Sequence, residues 1–431
     1  LHQYNYSMEP NLTLIVFASN LHDNNSVSKS REALYNDFKK RYALKIVSAQ
    51  EYEPIKGQEE FAIAFIATGG TEQIFLNNWQ KISRPLVILS DSFHNSLAAS
   101  LEISSWLNFR NIKHKHLNFP ISPSEIYMKE LHIEISSLYN IHRAFKEISN
   151  TKIGLIGDAS PWLIASDVDK YSLSSRLGVK FIDIPISSLE ERYQNISSYN
   201  GKYTLNSDES LKLIDDLSKL ATEDRTQEDI VDAVKLYNVI KQIIQDNEIN
   251  SLSIKCFDII GTCKTTACLA LSLLNDNGLV SGCEGDIPTL WSMIIARSLL
   301  NKPVFMANPS SIDKNENTVD FAHCTSPVSF AKSYTLPSHY ESGIGIGVAA
   351  ILSEGEYTLF KLGGESLDQM FCASGKIIAN TSVKERCRTQ VKFLFDTQSE
   401  LNSFLTSHLG NHVVLLPGNH KKDLQAFFEL Y

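Results

Sequence analysis

The residues best suited to chemistry sit in Ser281-Gly-Cys-Glu-Gly-Asp-Ile-Pro288, where Glu284 and Asp286 share a glycine-bracketed turn. Two further polar groups follow at the ends of short apolar runs: Asn308 in Phe305-Met-Ala-Asn-Pro309 and His323 in Asp320-Phe-Ala-His-Cys324. Carboxylates with a neutral imidazole suit proton transfer and the binding of a hard divalent cation better than a thiolate site would. The same residue types are also common as a solvated turn glutamate and a hydrogen-bonded core histidine. What separates the two readings is the set of elements that must position them.

Glu284 and Asp286 fall between the apolar run starting at Leu279 and a helix expected from Pro288 to Leu300, with Pro288 in its first turn. The acidic pair therefore occupies a strand-to-helix turn, and in parallel sheets such turns gather at one edge, where ligands bind. The same alternation runs through the chain before it. Leu12 to Phe17, Phe61 to Ile66, Pro85 to Leu89, Lys152 to Gly157, Val179 to Ile184 and Ser253 to Asp258 are short apolar runs, most of them followed by a polar turn and a helical stretch. Continuous apolar strands alternating with helices predict α/β architecture with doubly wound parallel sheets covered on both faces. Residues 1–150 and 151–300 are read as two such domains. After Lys302 the pattern changes to β-rich runs, namely Val319 to His323, Gly345 to Ile351, Tyr357 to Leu362 and Gln390 to Phe395, several separated by glycine turns. This predicts a third, β-rich and barrel-like domain over residues 301–431, ending in a helix near Glu400, the strand Val413 to Leu416 and a last short helix.

Other turns of the alternating region carry candidates of their own. Thr68-Gly-Gly-Thr-Glu72 has the glycines of a phosphate loop but neither the lysine of a P-loop nor the third glycine of a dinucleotide fingerprint, and a tight turn capped by Thr71 is an equal reading. In Asp91-Ser-Phe-His-Asn-Ser96, His94 and Asn95 are candidates for polar contacts to a substrate, with Asn95 or Ser96 as a plain N-cap the alternative. Trp162, in the loop after the strand from Lys152, either lines a pocket or packs half-buried.

Composition narrows the function classes. A chain of 431 residues with 43% apolar and 21% charged residues is expected to form two to three well-packed globular domains. The formal charge of −9 and the short, scattered basic runs, such as Lys39-Lys-Arg41, argue against a nucleic-acid partner. No apolar run approaches the ~20 residues of a membrane span, and the N-terminus lacks a secretory pattern; Leu1 to Ser7, ahead of Met8, read as a cloning remnant. The expected setting is cytoplasmic. All seven cysteines lie at or after Cys256, and their spacings match neither a closed disulfide framework nor a tetrahedral zinc pattern, so they read as buried free thiols.

Taken in order, Cys283-Glu-Gly-Asp-Ile-Pro288, Phe305-Met-Ala-Asn-Pro309, Val319-Asp-Phe-Ala-His-Cys324, Glu341-Ser-Gly-Ile-Gly345 and Leu409-Gly-Asn-His-Val-Val-Leu-Leu416 resemble the L-fucose isomerase and L-arabinose isomerase superfamily, as do Asp91 to Glu102 and Ser160 to Asp169. The resemblance covers almost the whole chain. It implies two Rossmann-like domains and a C-terminal β-rich domain, aldose-ketose isomerisation of a monosaccharide through an enediol, and a divalent metal, Mn2+ first with Mg2+ or Co2+ as alternatives. It also implies a homo-oligomer, trimeric or hexameric, in which the first domain, with His94 and Asn95, completes a neighbour's site.

Position by position, the resemblance makes Glu284 a metal ligand and proton-transfer residue and His412 the histidine ligand, His412 being preferred to His420 because an apolar strand follows it directly. It makes His323 an active-site histidine. Asn308 falls where the superfamily has its second acidic ligand, and an amide supplies a neutral oxygen but no base. Three outcomes are open for that departure: Asp286 substitutes, the reaction is modified, or activity is lost and a sugar-binding homologue with a degraded metal site remains. Asp286 and Trp162 are otherwise expected at the substrate.

Overall fold

The computed structural model describes residues 10–21, 24–55, 60–196, 203–329 and 331–431; Leu1 to Ser7 lie outside them. Two compact units are present, one formed by residues 1–146 with 426–431, the other by residues 147–425.

In the first unit β1 (Asn11–Phe17), β2 (Ala43–Ser48), β3 (Ala62–Ile66), β4 (Leu86–Asp91) and β5 (His114–Phe119) form one sheet in the order β2-β1-β3-β4-β5. Every pairing in it is parallel. All residues of β3 and β4 are buried, as central strands covered on both faces require. Ile15, Phe17, Ile66, Phe75, Ile88, Ile103 and Leu107 form the core on one side of the sheet.

The second unit holds a parallel sheet of β6 (Lys152–Ile156), β7 (Lys180–Ile184), β8 (Ser251–Ile254) and β9 (Val280–Cys283), in the order β7-β6-β8-β9. Its later part is built from β10 (Phe305–Asp313), β11 (Thr318–His323), β12 (Ala331–Thr335), β13 (Ala349–Leu352), β14 (Gly355–Gly363), β15 (Gln369–Asn380), β16 (Thr389–Phe395) and β17 (Val413–Pro417). Strands β10-β11-β16-β15-β14-β17 close into an antiparallel barrel, and β12 and β13 pair as a separate ribbon. Phe305, Val319, Phe321, Leu359, Phe393 and Leu415 fill a core continuous with Ile230, Val234 and Leu269 from the helical layer. That shared core ties the barrel to the second parallel sheet.

The architecture is thus mixed α/β, with two parallel sheets followed by a barrel. Local boundaries differ in three informative places. The strand expected over Ser253 to Asp258 ends at Ile254, and a helix starts at Asp258, so Cys256 and Phe257 lie in a turn. The strand expected from Gly345 begins only at Ala349. Gly345 has φ +59°, and a side chain there would meet the backbone nitrogen of Thr266 at 2.7 Å, so the chain passes too close to its neighbour to stay extended. The twelve-residue strand β15 was not expected at all.

Candidate active site

β8 and β9 end side by side, and the chain leaving β9 turns sharply into the helix Ile287–Leu300. Glu284 and Gly285 take consecutive left-handed conformations, φ 62° and 74°. Gly285 N–H donates to the Ile254 carbonyl at 3.1 Å, and the Glu284 carbonyl accepts from Ser160 N–H at 2.8 Å, which pins the turn to its sheet. A Cβ on Gly285 would lie 2.6 Å from both Ala159 Cα and the Asp158 carbonyl oxygen, so no side chain fits. Gly285→Ala is expected to destabilise the unit by about 1–3 kcal/mol, read as a lower urea midpoint, because it adds a backbone clash to a left-handed conformation.

The barrel supplies the other groups. Asn308 on β10 lies opposite Ala322 on β11, and His323 ends β11. His412 immediately precedes β17, whose residues pair with both β10 and β14. Glu284, His323 and His412 converge: one ligand-type atom from each lies within 4.8 Å of the others, and all three residues are buried.

Each is held by a specific partner. Trp162 Nε1–H donates to Glu284 Oε2 at 2.7 Å, fixing the carboxylate plane. His323 Nδ1 is 2.8 Å from the Thr325 hydroxyl. Burial, reinforced by the neighbouring His412 ring, pushes the His323 imidazole down to about 3, so it is neutral in ordinary buffers. His412 Nδ1 is 2.8 Å from Asp286 Oδ2; a carboxylate only accepts, so this nitrogen carries a proton, and in the neutral ring Nε2 then presents its lone pair. Nε2 is buried and has no hydrogen-bond partner among the described residues. It lies 3.8 Å from Glu284 Oε1, too far for a hydrogen bond. Two electron-rich atoms facing each other in a buried space are complementary to a cation.

Asp286 is engaged by the protein's own groups. It is 1% exposed and caps the helix Ile287–Leu300, accepting from Thr289 N–H at 2.9 Å and the Thr289 hydroxyl at 2.7 Å. Lys361 Nζ lies 3.6 Å from its other oxygen. Burial alone would raise its pKa, but the Lys361 ammonium and the His412 N–H outweigh that and hold Asp286 well below the usual carboxylate range. Asp286 thus holds the His412 ring by its Nδ1, the kind of contact that orients a histidine whose other nitrogen faces a site.

A cavity with about 460 Å³ of atom-free space opens on Glu284, Asn308 and His323, and Phe257, His339 and five cysteines complete much of its wall. Asn308 Oδ1 accepts from Asn411 Nδ2 at 3.2 Å. Trp162 is 52% exposed and packs edge-on against Phe257 with ring centroids 5.2 Å apart. His94 and Asn95 belong to the first unit, in left-handed conformations at φ 51° and 60°; His94 Nδ1 is 2.9 Å from Arg31 and Asn95 precedes the helix Ser96–Phe109 without a side-chain cap bond. His420, the histidine set aside, contacts Asp423 at 3.7 Å and the Pro417 carbonyl at 3.0 Å.

Lys361 was overlooked in the sequence. Its signal is a lone charge in the apolar run Tyr357-Thr-Leu-Phe-Lys-Leu362, whose last residues are all buried. Burial lowers its pKa, and Asp286 opposes that shift. Thr325 and His339 had no spacing to mark them.

No protein-family model matches the chain. Proteins named sulfoquinovose isomerase are similar to it. Those of Priestia aryabhattai and Priestia megaterium (strain ATCC 12872 / QMB1551) are 27% identical over 280 residues, 62% of this chain and 58% of theirs. The one from Clostridium sp. (strain MSTE9) is 36% identical over 104 residues, 24% of this chain and 23% of its own. The matched part of the chain thus spans somewhat over half the length of the Priestia relatives.

Proposed function

We propose that this chain interconverts an aldose and a ketose, using a divalent cation held by Glu284, Asn308 and His412. The observation that carries the reading is His412 Nε2, buried without a hydrogen-bond partner among the described residues and 3.8 Å from the Glu284 carboxylate. The donor set of carboxylate, amide oxygen and imidazole suits Mn2+, with Mg2+ or Co2+ as alternatives. Such a cation, when bound, supplies stabilisation of the negative charge developing on the two sugar oxygens.

The chain's own groups perform the rest. Glu284 takes the proton from C2 of the open-chain aldose and returns it to C1, while a hydroxyl proton passes from O2 to O1, through an enediol and with no net gain or loss of atoms. Trp162 keeps the carboxylate aimed, and Asp286, backed by Lys361, keeps His412 in the tautomer that leaves Nε2 free. His323, neutral and held by Thr325, orients the sugar by hydrogen bonding.

The named relatives make sulfoquinovose the first substrate to try. The cavity lining contains no lysine or arginine, so a sulfonate would find its charge partner outside that lining, and neutral aldoses belong in the same panel. Purified protein with Mn2+ is expected to turn over at least one of these sugars, to lose turnover on exhaustive chelation and to recover it when metal is restored. Turnover that survives chelation would remove the cation from the proposal. Asn308 supports a second reading, a sugar-binding protein without catalysis, since an amide stands where an acid would be expected. Calorimetric sugar binding with no turnover under any metal would select it.

A further inference from the structure

The cavity wall beyond Glu284 is unusually rich in sulfur. Cys268, Cys324 and His339 are all buried, and one ligand-type atom from each lies within 4.8 Å of the others. The three come from separate segments. Cys268 opens the helix Cys268–Asp276; Cys324 follows the last residue of β11; His339 lies in the loop joining β12 and β13. Because none is a near sequence neighbour of another, no Cys-x-x-Cys spacing betrays the group.

Further contacts fit the same reading. His339 Nδ1 is 3.0 Å from the Ser342 hydroxyl, which orients the ring and leaves Nε2 as its remaining nitrogen. Cys387 lines the same cavity as Cys268, Cys324 and His339, so a third sulfur is at hand beside the group. Two thiolates and a neutral imidazole neutralise a divalent cation, and sulfur with imidazole nitrogen is a donor set preferred by zinc over manganese or magnesium.

We propose that Cys268, Cys324 and His339, with Cys387 as the adjacent fourth donor, form a thiophilic site for Zn2+ in the wall of the cavity. The site is separate in ligands and in chemistry from the oxygen-rich set around Glu284. His323 and Cys324, consecutive in the chain, serve one set each. The inference stands whether or not the chain is an isomerase.

The test uses Co2+ as a spectroscopic stand-in for zinc. The reduced, metal-free protein is titrated with Co2+ without oxygen. A sulfur-to-cobalt charge-transfer band that saturates near one equivalent and is displaced by Zn2+ is the expected result. The band should remain in Glu284→Gln, which alters only the other set, and in Cys372→Ser, whose thiol does not line the cavity. It should be lost in Cys268→Ser with Cys324→Ser. Absence of the band in the unmutated protein overturns the proposal without reference to any variant, and so does a band that persists at full strength in the double variant.

Discussion

Glu284→Gln is expected to lower kcat/KM on whichever sugar is turned over by about 10²–10⁴, or about 3–5 kcal/mol of transition-state stabilisation. Glutamine preserves the shape of the side chain and still offers an oxygen to Trp162 Nε1–H, which donates to Glu284 Oε2 at 2.7 Å. What it removes is the charge that faces the His412 lone pair and the basicity needed to take a carbon-bound proton. The backbone turn, with Glu284 at φ 62°, is unaffected by the change of head group. Unfolding midpoints of the two proteins should therefore agree, while Mn2+ affinity and turnover both fall. A variant with unchanged kcat/KM would sink the assignment of Glu284 as the proton-transfer group.

The second large effect lies one residue layer back. Lys361→Met is expected to destabilise the second unit by about 3–5 kcal/mol, because it leaves Asp286 charged and buried without its cation. Both side chains are 1% exposed, so water cannot take over the missing interaction. Thr289 and His412 continue to hydrogen-bond Asp286, and they set the lower end of that range. Chemical denaturation followed by fluorescence reads the loss. Asp286→Asn added to Lys361→Met should restore part of it, since two neutral groups no longer need each other. A single-variant loss within the few tenths of a kcal/mol typical of a surface change would mean that the ammonium is not supporting Asp286.

The parallel sheets were legible because their central strands are continuous apolar runs: Ala62-Ile-Ala-Phe-Ile66 is buried at every position. The barrel was legible as a change of rhythm after Lys302, but β15 was hidden. Its middle, Ala373-Ser-Gly375, is made of small residues, and Gly375 is needed where the Phe393 ring and the Leu394 backbone fill the space of a side chain. Close packing removed the β-branched signature that a strand normally shows. Glu284 and Asp286 were legible as a pair, yet their division of labour was not. A left-handed Glu284 and Gly285 followed by an extended Asp286 send Glu284 towards the cavity and fold Asp286 back as a helix cap, and only backbone geometry separates them. The thiol group was illegible for a different reason: its spacing exists in space and not along the chain.

The barrel closes through β17, which lies between β10 and β14. His412, at the head of that strand, is 126 residues from the Asp286 that orients it. During synthesis the ribosome therefore delivers the acidic turn, β10 and β14 well before the strand that joins them. Until β17 arrives, two sheet edges stand unpaired and exposed to other nascent chains, and Glu284 lacks its neighbour His412. Closing the barrel and bringing His412 to Glu284 are one event, so a growing chain pairs its last sheet edges and completes the Glu284–His323–His412 cluster at the same moment.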